Sequence, residues 1–264
     1  MEDRIPLAAF PAGAGAGNLF HRILETASFT DASRHPEIIA EQTRIFGFNR
    51  PEWQPLLQQA LAAVLTTPLT SPQATGESFC LADIDDRHRL NEMAFTFPVR
   101  QQQTPLEASR LAAFFARFPE GLPAAYDEQV KALRFPALQG YLKGFVDLIC
   151  LWRGKWYVID YKSNLLGPTF GAYQPRHLAP VMSSHHYVLQ YHIYLVALHR
   201  HLAARLPDYD YESHCGGALY LFLRGLNPEL GPAAGVYFER PPRARIEALD
   251  GLLAAAGPGG EKGP

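Results

Sequence analysis

One stretch of the 264-residue chain, residues 141–164, constrains the fold more than any other. It reads YLKGFVDLICLWRGKWYVIDYKSN. Two apolar runs of β-type residues flank a short Arg-Gly-Lys connection, which predicts a β-hairpin. Each run carries one aspartate among apolar residues: Asp147 in the first and Asp160 in the second, with Lys162 two residues further on. Polar side chains at such positions indicate a site built on the hairpin.

The register of this hairpin decides how the polar side chains meet. Strand alternation puts Asp160 and Lys162 on one face of the second strand. If residues 153–154 form a two-residue loop, Asp147 lies directly opposite Asp160. If the loop is 154–155 instead, Asp147 lies opposite Lys162 and diagonal to Asp160. In both registers the three side chains share one face within about 5–8 Å.

Two facing carboxylates repel each other, and burying them unpaired costs several kcal/mol. A bound divalent cation relieves this repulsion, and hard oxygen ligands suit Mg²⁺ or Mn²⁺. An aspartate followed by Asp-x-Lys on the next strand therefore predicts a metal-dependent phosphodiesterase. The alternative is a surface hairpin in which the aspartate and the lysine form a solvent-exposed pair. The apolar residues around them argue against it.

Composition excludes several other classes of protein. The net charge is −2, so nucleic-acid binding would need a local basic patch. Cys80, Cys150 and Cys215 have no CxxC spacing, which argues against a zinc ribbon or a disulfide framework and for a reducing compartment. The first residues, MEDRIPLAAF, lack the pattern of a signal peptide. No apolar run reaches about 18 residues, so we expect a cytoplasmic protein without a membrane span.

The order of the predicted elements indicates one α/β or α+β domain. Residues 1–17 are rich in Gly and Ala and predict a flexible lead-in, with the first helix starting near Asn18. The Gly/Pro-rich residues 256–264 predict a disordered tail. The folded domain should therefore cover residues 18–255.

A long helix is predicted from about Met182 to Leu206. It carries an aromatic stripe at helical spacing, formed by Tyr187, Gln190, Tyr191, Tyr194 and Leu198. Such stripes usually belong to a core. The glutamine within the stripe needs a polar partner, which an active-site edge or a DNA strand would supply.

Two segments of the sequence resemble a known family. The segments GYLKGFVDLICLWRGKWYVIDYKSNLLG and YVLQYHIYLVALHRHLAARLPDYDYESHCGGALYLFLRG resemble the RecB-type C-terminal nuclease domain of the PD-(D/E)xK nuclease superfamily. The similarity runs from about Phe10 to Glu239 and is densest over 140–225. It implies an α/β, restriction-endonuclease-like fold, in which a central mixed β-sheet is flanked by helices. Val146, where the superfamily name implies a nearby proline, is a departure common in this branch.

The resemblance also implies a set of metal ligands. GFVD and IDYK match the family's metal-binding aspartates at Asp147 and Asp160, and NLFHRILE matches a histidine ligand at His21. The backbone carbonyl near Tyr161 is a further ligand in this scheme. The expected cofactor is Mg²⁺, with Mn²⁺ as a substitute and Ca²⁺ as an inhibitor.

The same resemblance assigns the remaining roles. Lys162 is the catalytic lysine beside the two catalytic aspartates. Glu92 in NEMAF matches a catalytic acidic residue that would hold either a water outside the metal's own ligands or a second ion. Gln190 and Tyr194 match the family's Q-x-x-x-Y element and would contact DNA. Among ten histidines, His21 could not have been chosen from the residues alone.

The implied substrate is single- or double-stranded DNA. The implied partners are helicase subunits of a RecBCD-type complex (RecC and RecD) and the RecA recombinase. The chain has no GxxxxGK[ST] phosphate loop, so we expect no ATP site in it. It would be a stand-alone nuclease, the tail of a split gene or an excised piece. Two alternatives stay open: a non-catalytic interaction module, and a defence nuclease that acts outside any helicase complex.

Overall fold

A computed structural model describes residues 3–69, 78–99, 107–134 and 140–254. The tail predicted over 256–264 lies outside these residues. Within the described part of the chain, every helix is too short or too polar to cross a bilayer.

Nine α-helices and five β-strands make up the described structure. The helices are α1 Ala14–Thr26, α2 His35–Ile45, α3 Trp53–Thr66, α4 Ala108–Arg117, α5 Tyr126–Lys131, α6 Pro175–Ser184, α7 Tyr187–Ala203, α8 Tyr211–His214 and α9 Arg243–Ala254. The strands are β1 Arg89–Val99, β2 Gly140–Trp152, β3 Lys155–Lys162, β4 Cys215–Phe222 and β5 Val236–Glu239. Short 3₁₀ helices lie at Pro6–Ala9, Leu81–Asp83, Asp86–His88, Phe170–Tyr173, Leu223–Gly225 and Gly231–Ala233.

The five strands form one mixed sheet in the order β1-β2-β3-β4-β5. The chain reaches the sheet through three helices and passes through α6, α7 and α8 between β3 and β4. This arrangement confirms the predicted α/β class with a central mixed sheet flanked by helices.

The hairpin of β2 and β3 has the first of the two predicted registers. Trp152 pairs with Lys155, which makes the connection a two-residue loop. Arg153 and Gly154 have φ angles of 48° and 79°. Positive φ at both central residues is what a type I′ turn requires, and this turn matches the twist of the two strands.

Contacts divide the chain into two compact units, each assembled from three stretches of sequence. Unit 1 comprises residues 1–93, 146–179 and 216–239. Unit 2 comprises residues 94–145, 180–215 and 240–264. Neither unit is continuous, so the domain predicted over residues 18–255 has no simple division along the sequence.

The core of unit 1 lies between α1, α2, α3 and one face of the sheet. Alternate residues of β3 supply that face, namely Tyr157, Ile159 and Tyr161. Because a strand exposes successive side chains to opposite faces, Asp160 and Lys162 point away from this core. The hydrophobic packing of the hairpin thereby fixes which face carries the polar side chains.

The N-terminal residues pack against this core. Leu7 and Phe10 are each 2% exposed, and the Phe10 ring stacks on Phe48 with centroids 5.1 Å apart. This packing departs from the flexible lead-in expected for residues 1–17. The large apolar side chains outweigh the Gly/Ala composition on which the expectation rested. The first helix also begins earlier than predicted, at Ala14.

Unit 2 contains a smaller helical core. The Phe115 ring of α4 contacts Tyr126 and His192, with centroid distances of 5.0 and 5.2 Å. An ion pair between Arg200 and Asp250 joins α7 to α9. The unit thus packs helices from all three of its sequence stretches.

The long helix predicted from Met182 to Leu206 is two helices. His186, between α6 and α7, has a φ of 57°. A left-handed residue cannot continue an α-helix, so the chain turns there. The prediction of a single helix was wrong because the apolar pattern runs through a break that no glycine or proline marks.

Candidate active site

Asp147 lies on β2, and the neighbouring strand β3 holds its side chain in place. Its Oδ2 accepts a hydrogen bond from the backbone N–H of Tyr161 at 2.8 Å. The side chain is 13% exposed. Continuing the observed register by one residue places Asp147 opposite Asp160. One oxygen of the Asp147 carboxylate is therefore fixed by the sheet, and the other is available to the site.

His21 reaches the hairpin from α1, although it is 140 residues from Tyr161 in the sequence. Its Nε2 lies 3.1 Å from the Tyr161 carbonyl oxygen. A carbonyl only accepts, so Nε2 carries the proton. In the neutral ring, Nδ1 then presents a lone pair towards Asp147 Oδ1, 3.5 Å away. Histidines that bind metals commonly donate one ring N–H to a backbone carbonyl and turn the other nitrogen to the ion. His21 has this arrangement, with Nδ1 on the side of the Asp147 carboxylate.

Glu92 comes to the same place from β1. Its φ is 50°, a left-handed conformation that glutamate rarely adopts. The preceding residue is anchored, because Asn91 Nδ2 donates to the Glu25 carbonyl at 2.8 Å. One ligand atom each from His21, Glu92 and Asp147 lies within 4.8 Å of the others. A strained backbone conformation costs free energy and persists only where the surrounding structure holds it in place. Such residues are most common at functional sites.

Asp160 and Lys162 form an ion pair on β3. Lys162 Nζ lies 2.5 Å from Asp160 Oδ2, and the two side chains are 12% and 2% exposed. The ammonium group also lies 5.1 Å from the centroid of the Tyr220 ring. A lysine so enclosed has little rotational freedom, so its charge is directed to one point of the site.

The pKa values of three residues at the site, Asp160, Glu92 and His21, are raised. Burial, and secondarily the charge of Asp147, raise the pKa of Asp160 to about 7, although Lys162 opposes the shift. Burial, Asp147 and Glu25 raise the pKa of Glu92. Burial opposes the charge on His21, but its hydrogen bond to Asp147 and the nearby carboxylates outweigh it, so the pKa of His21 is raised. A bound cation would favour the charged carboxylates and the neutral imidazole, so we expect cation binding to release protons.

The donor set fits a hard divalent cation. Two carboxylates and one imidazole lie close enough to share an ion, and no thiol is among them. Oxygen-rich sets of this kind suit Mg²⁺ and Mn²⁺ better than softer metals. The three residues placed so that they could share an ion are His21, Glu92 and Asp147, whereas Asp160 is paired with Lys162. Ligation by Asp160 and by the Tyr161 carbonyl stays a prediction.

Comparison with known proteins decides the family. Residues 4–256 match the profile of the PD-(D/E)XK nuclease superfamily. This chain belongs to that superfamily. The assignment of Asp147, Asp160 and Lys162 to the acidic residues and the lysine of the superfamily's name stays a prediction.

Several proteins that resemble this chain are RecB subunits. The RecBCD enzyme subunit RecB of Escherichia coli (strain K12) is 39% identical over 245 residues, which are 93% of this chain and 19% of the relative. The subunit of the same name from Haemophilus influenzae is 34% identical, over 96% of this chain and 19% of the relative. The RecB subunit from Mycobacterium tuberculosis (strain ATCC 25618 / H37Rv) is 34% identical, over 94% of this chain and 24% of the relative. The chain thus spans about a fifth of the length of these relatives.

The predicted Q-x-x-x-Y element of the superfamily lies on α7, in unit 2. Gln190 Nε2 donates to the Tyr194 hydroxyl at 2.7 Å, so the glutamine has the polar partner that its position requires. Tyr194 is 8% exposed, and its ring meets Phe95 edge-on with centroids 5.8 Å apart. Contact of Gln190 and Tyr194 with DNA stays a prediction.

Sequence reasoning missed Arg224, a buried arginine beside the PD-(D/E)XK site. Its guanidinium donates to the Ser163 carbonyl at 2.8 Å, directly after Lys162. It also donates to the carbonyls of Leu7 and Phe10 at 2.8 and 3.0 Å, and to that of Pro11 at 2.5 Å. Arg224 therefore joins the end of β3 to the segment that leads into α1. The only sequence signal was an arginine closing the buried run ALYLFL.

Proposed function

We propose that this chain is a divalent-metal-dependent nuclease domain that hydrolyses phosphodiester bonds in DNA. The observation that carries the proposal is the convergence of His21, Glu92 and Asp147 beside the Asp160–Lys162 pair. Membership of the PD-(D/E)XK nuclease superfamily supports it. Mg²⁺ is the proposed cofactor, because the donors are hard and the substrate is a phosphodiester.

In this proposal His21, Glu92 and Asp147 hold the cation. When bound, it supplies Lewis-acid stabilisation of the negative charge that develops on the phosphodiester. The Tyr161 backbone orients two of these ligands at once, because its N–H binds Asp147 and its carbonyl binds His21. This shared anchor fixes both ligands before substrate arrives, so little reorganisation is needed during the reaction.

Lys162 is the proposed catalytic cation of the chain itself. Its ammonium group would donate hydrogen bonds to the attacking water or to a phosphate oxygen. Asp160 holds the ammonium group in position, because its carboxylate lies 2.5 Å from the Lys162 nitrogen. Asp160 thus acts on the reaction through Lys162 as well as through any ligation of the cation.

The partners are proposed from the relatives. Those relatives are named as subunits of the RecBCD enzyme, and this chain covers about a fifth of their length. We propose that the chain works with helicase subunits of the RecC and RecD kind in repair and recombination of broken DNA. RecA is a further proposed partner, and a place in the cytoplasm follows from this assignment.

Digestion of single-stranded DNA by the purified chain tests the proposal. Linear and circular molecules are incubated with the chain in Mg²⁺ and in EDTA, and the products are followed on denaturing gels. We expect cleavage in Mg²⁺ and none in EDTA. Cleavage of circles would demonstrate endonuclease activity, because a circle offers no end.

Asp160→Ala and Lys162→Ala complete this experiment. Both should abolish cleavage and leave the far-UV circular dichroism spectrum unchanged. Lys155→Ala is the matched control, since Lys155 lies at the opposite end of the same strand. Mg²⁺-dependent cleavage at the parental rate by either site variant would contradict the assignment. Cleavage by neither the parent chain nor the variants would favour the non-catalytic interaction module.

A further inference from the structure

We propose that Tyr141, Lys143 and Phe145 form a platform on β2 on which the bases of single-stranded DNA stack. This inference rests on the proposed DNA nuclease function and deepens it by assigning the strand a binding surface. Tyr141 is 69% exposed and Phe145 is 59% exposed. Both belong to unit 2.

Strand alternation accounts for the exposure of the two rings. Tyr141, Lys143 and Phe145 occupy alternate positions of β2, and all three are exposed. Alternate side chains of a strand project from the same face about 6.8 Å apart. The two rings and the lysine between them therefore form one row on one face of the strand.

The opposite face of this part of β2 is covered. A Cβ atom on Gly144 would lie 2.5 Å from the Phe95 ring, so β1 packs its phenylalanine directly over the glycine. Phe95 in turn contacts Tyr194 of α7. The strand thus packs one face into unit 2 and presents the other, with its aromatic rings, to solvent.

The neighbouring strand leaves the rings accessible. On β1, Phe95 points to the covered face, so Ala94 and Thr96 lie on the other. Both are exposed, and both are small. Side chains of this size do not cover aromatic rings on an adjacent strand. The faces of Tyr141 and Phe145 are therefore available to a flat ligand.

The charge on this surface favours nucleic acid as the ligand. Lys143 stands between the two rings, and neither GYLKGF on β2 nor AFT on β1 contains an acidic residue. In single-stranded DNA the bases can stack on aromatic rings, and the phosphates between them can pair with a cation. Two rings with a lysine between them offer both kinds of contact. The bases must be unpaired, because in a duplex they stack on each other. β2 also carries Asp147, two residues after Phe145, so the row lies on the strand that supplies the candidate metal site.

Binding of a short fluorescein-labelled oligothymidylate, measured by fluorescence anisotropy in EDTA, tests the platform. EDTA separates binding from cleavage. For the full chain, Tyr141→Ala and Phe145→Ala should each weaken binding between about fivefold and about a hundredfold, the range for loss of one stacked base. Tyr141→Phe should bind as the parent does, because it keeps the ring. Ile45→Ala is the matched control for removal of an exposed apolar side chain, since Ile45 is 57% exposed.

The lysine has a separate signature. Lys143→Ala should lower the slope of log affinity against log salt concentration by about 0.7, the value for one phosphate contact with a single strand. The two ring variants should leave that slope unchanged. A duplex of the same length should bind equally to the parent and to the ring variants.

Each contrary result has a defined meaning. Unchanged oligothymidylate affinity in the Tyr141→Ala/Phe145→Ala double variant, or no binding by the parent chain, would overturn the platform. Normal DNA binding together with lost association with helicase subunits would identify the row as a protein interface and also overturn it. Failure of the parent chain to cleave DNA in Mg²⁺ would contradict the nuclease proposal instead. The binding measured in EDTA would still test the platform, because it does not depend on cleavage.

Discussion

Lys162 Nζ lies 2.5 Å from Asp160 Oδ2, and this carboxylate is only 2% exposed. The pair stands beside a second group of acids, in which Asp147 and Glu92 share a histidine neighbour. One carboxylate is therefore paired with an ammonium group, whereas Asp147 and Glu92 lie around the His21 imidazole. The proposed cation would bind at this second part of the site.

Replacement of Lys162 by methionine should abolish most of the activity without unfolding the chain. We expect cleavage to fall by about 10²–10³-fold, the usual effect of removing one group that stabilises developing charge. The fold should persist because Asp160, whose pKa is already about 7, can take up a proton when its partner is lost. Initial rates of oligonucleotide cleavage measure the first effect, and thermal unfolding measures the second. Lys155→Met, on the same strand, should retain parental rates.

Removal of the histidine should weaken cation binding. His21→Ala should lower the affinity for Mn²⁺ by about tenfold or more, because even residues that only orient metal ligands contribute 10–100-fold. Isothermal titration calorimetry with the full chain measures the affinity directly. His88→Ala serves as the control, because its side chain is 49% exposed and pairs with Asp85. Equal Mn²⁺ affinity in the parent and His21→Ala would remove His21 from the ligand set.

The stability of the metal-free chain should fall as pH rises through neutrality. Asp160 has a raised pKa of about 7, so the folded state holds a proton that the unfolded state releases near pH 4. Its contribution to stability is therefore lost as pH rises from about 4 to about 7. The raised pKa of His21 acts in the same direction, because its proton also favours the folded state.

Thermal unfolding in EDTA at pH 6 and pH 8 measures this effect. The midpoint should be lower at pH 8, and Asp160→Asn should show a smaller difference because its side chain does not titrate. Mg²⁺ should raise the midpoint more at pH 8, where it does not compete with protons. If the midpoint in EDTA is the same at pH 6 and pH 8, both in the parent and in Asp160→Asn, the raised pKa of Asp160 is contradicted.

The hairpin was predictable because its information is local. The alternating apolar residues and the short Arg-Gly-Lys connection predict the hairpin and the face that Asp147 shares with Asp160. They leave two registers open, and the structure has the one that places Asp147 opposite Asp160. His21 was not predictable from the residues, because contact over 140 positions depends on how α1 packs on the sheet. The helix break at His186 was also missed, because a left-handed histidine has no compositional marker.

Arg224 should contribute more to stability than any surface arginine. Arg224→Met removes the donors to four carbonyl groups and should cost at least about 3 kcal/mol, because each buried acceptor left unsatisfied costs about 1–3 kcal/mol. Urea unfolding in EDTA measures the loss. Arg34→Met is the control, since Arg34 is 77% exposed in a surface pair and should cost less than about 1 kcal/mol. Equal losses in the two variants would show that the buried network adds nothing.

Glu92 should show a conflict between stability and function. Its φ of 50° is unfavourable for any residue with a Cβ atom, at a cost of about 1–2 kcal/mol, whereas glycine adopts it freely. Glu92→Gly and Glu92→Ala both remove the carboxylate, but only the glycine variant relieves the backbone. We therefore expect both variants to bind Mn²⁺ more weakly than the parent.

The two Glu92 variants should differ in stability. Glu92→Gly should unfold at a higher urea concentration than Glu92→Ala, by about 0.5–1 kcal/mol once the entropy cost of glycine is subtracted. Loss of repulsion from Asp147 and Glu25 is common to both, so the difference between them isolates the backbone strain. An alanine variant as stable as the glycine variant would mean that the backbone relaxes on loss of the carboxylate. Cation binding would then be what holds Glu92 in its strained conformation.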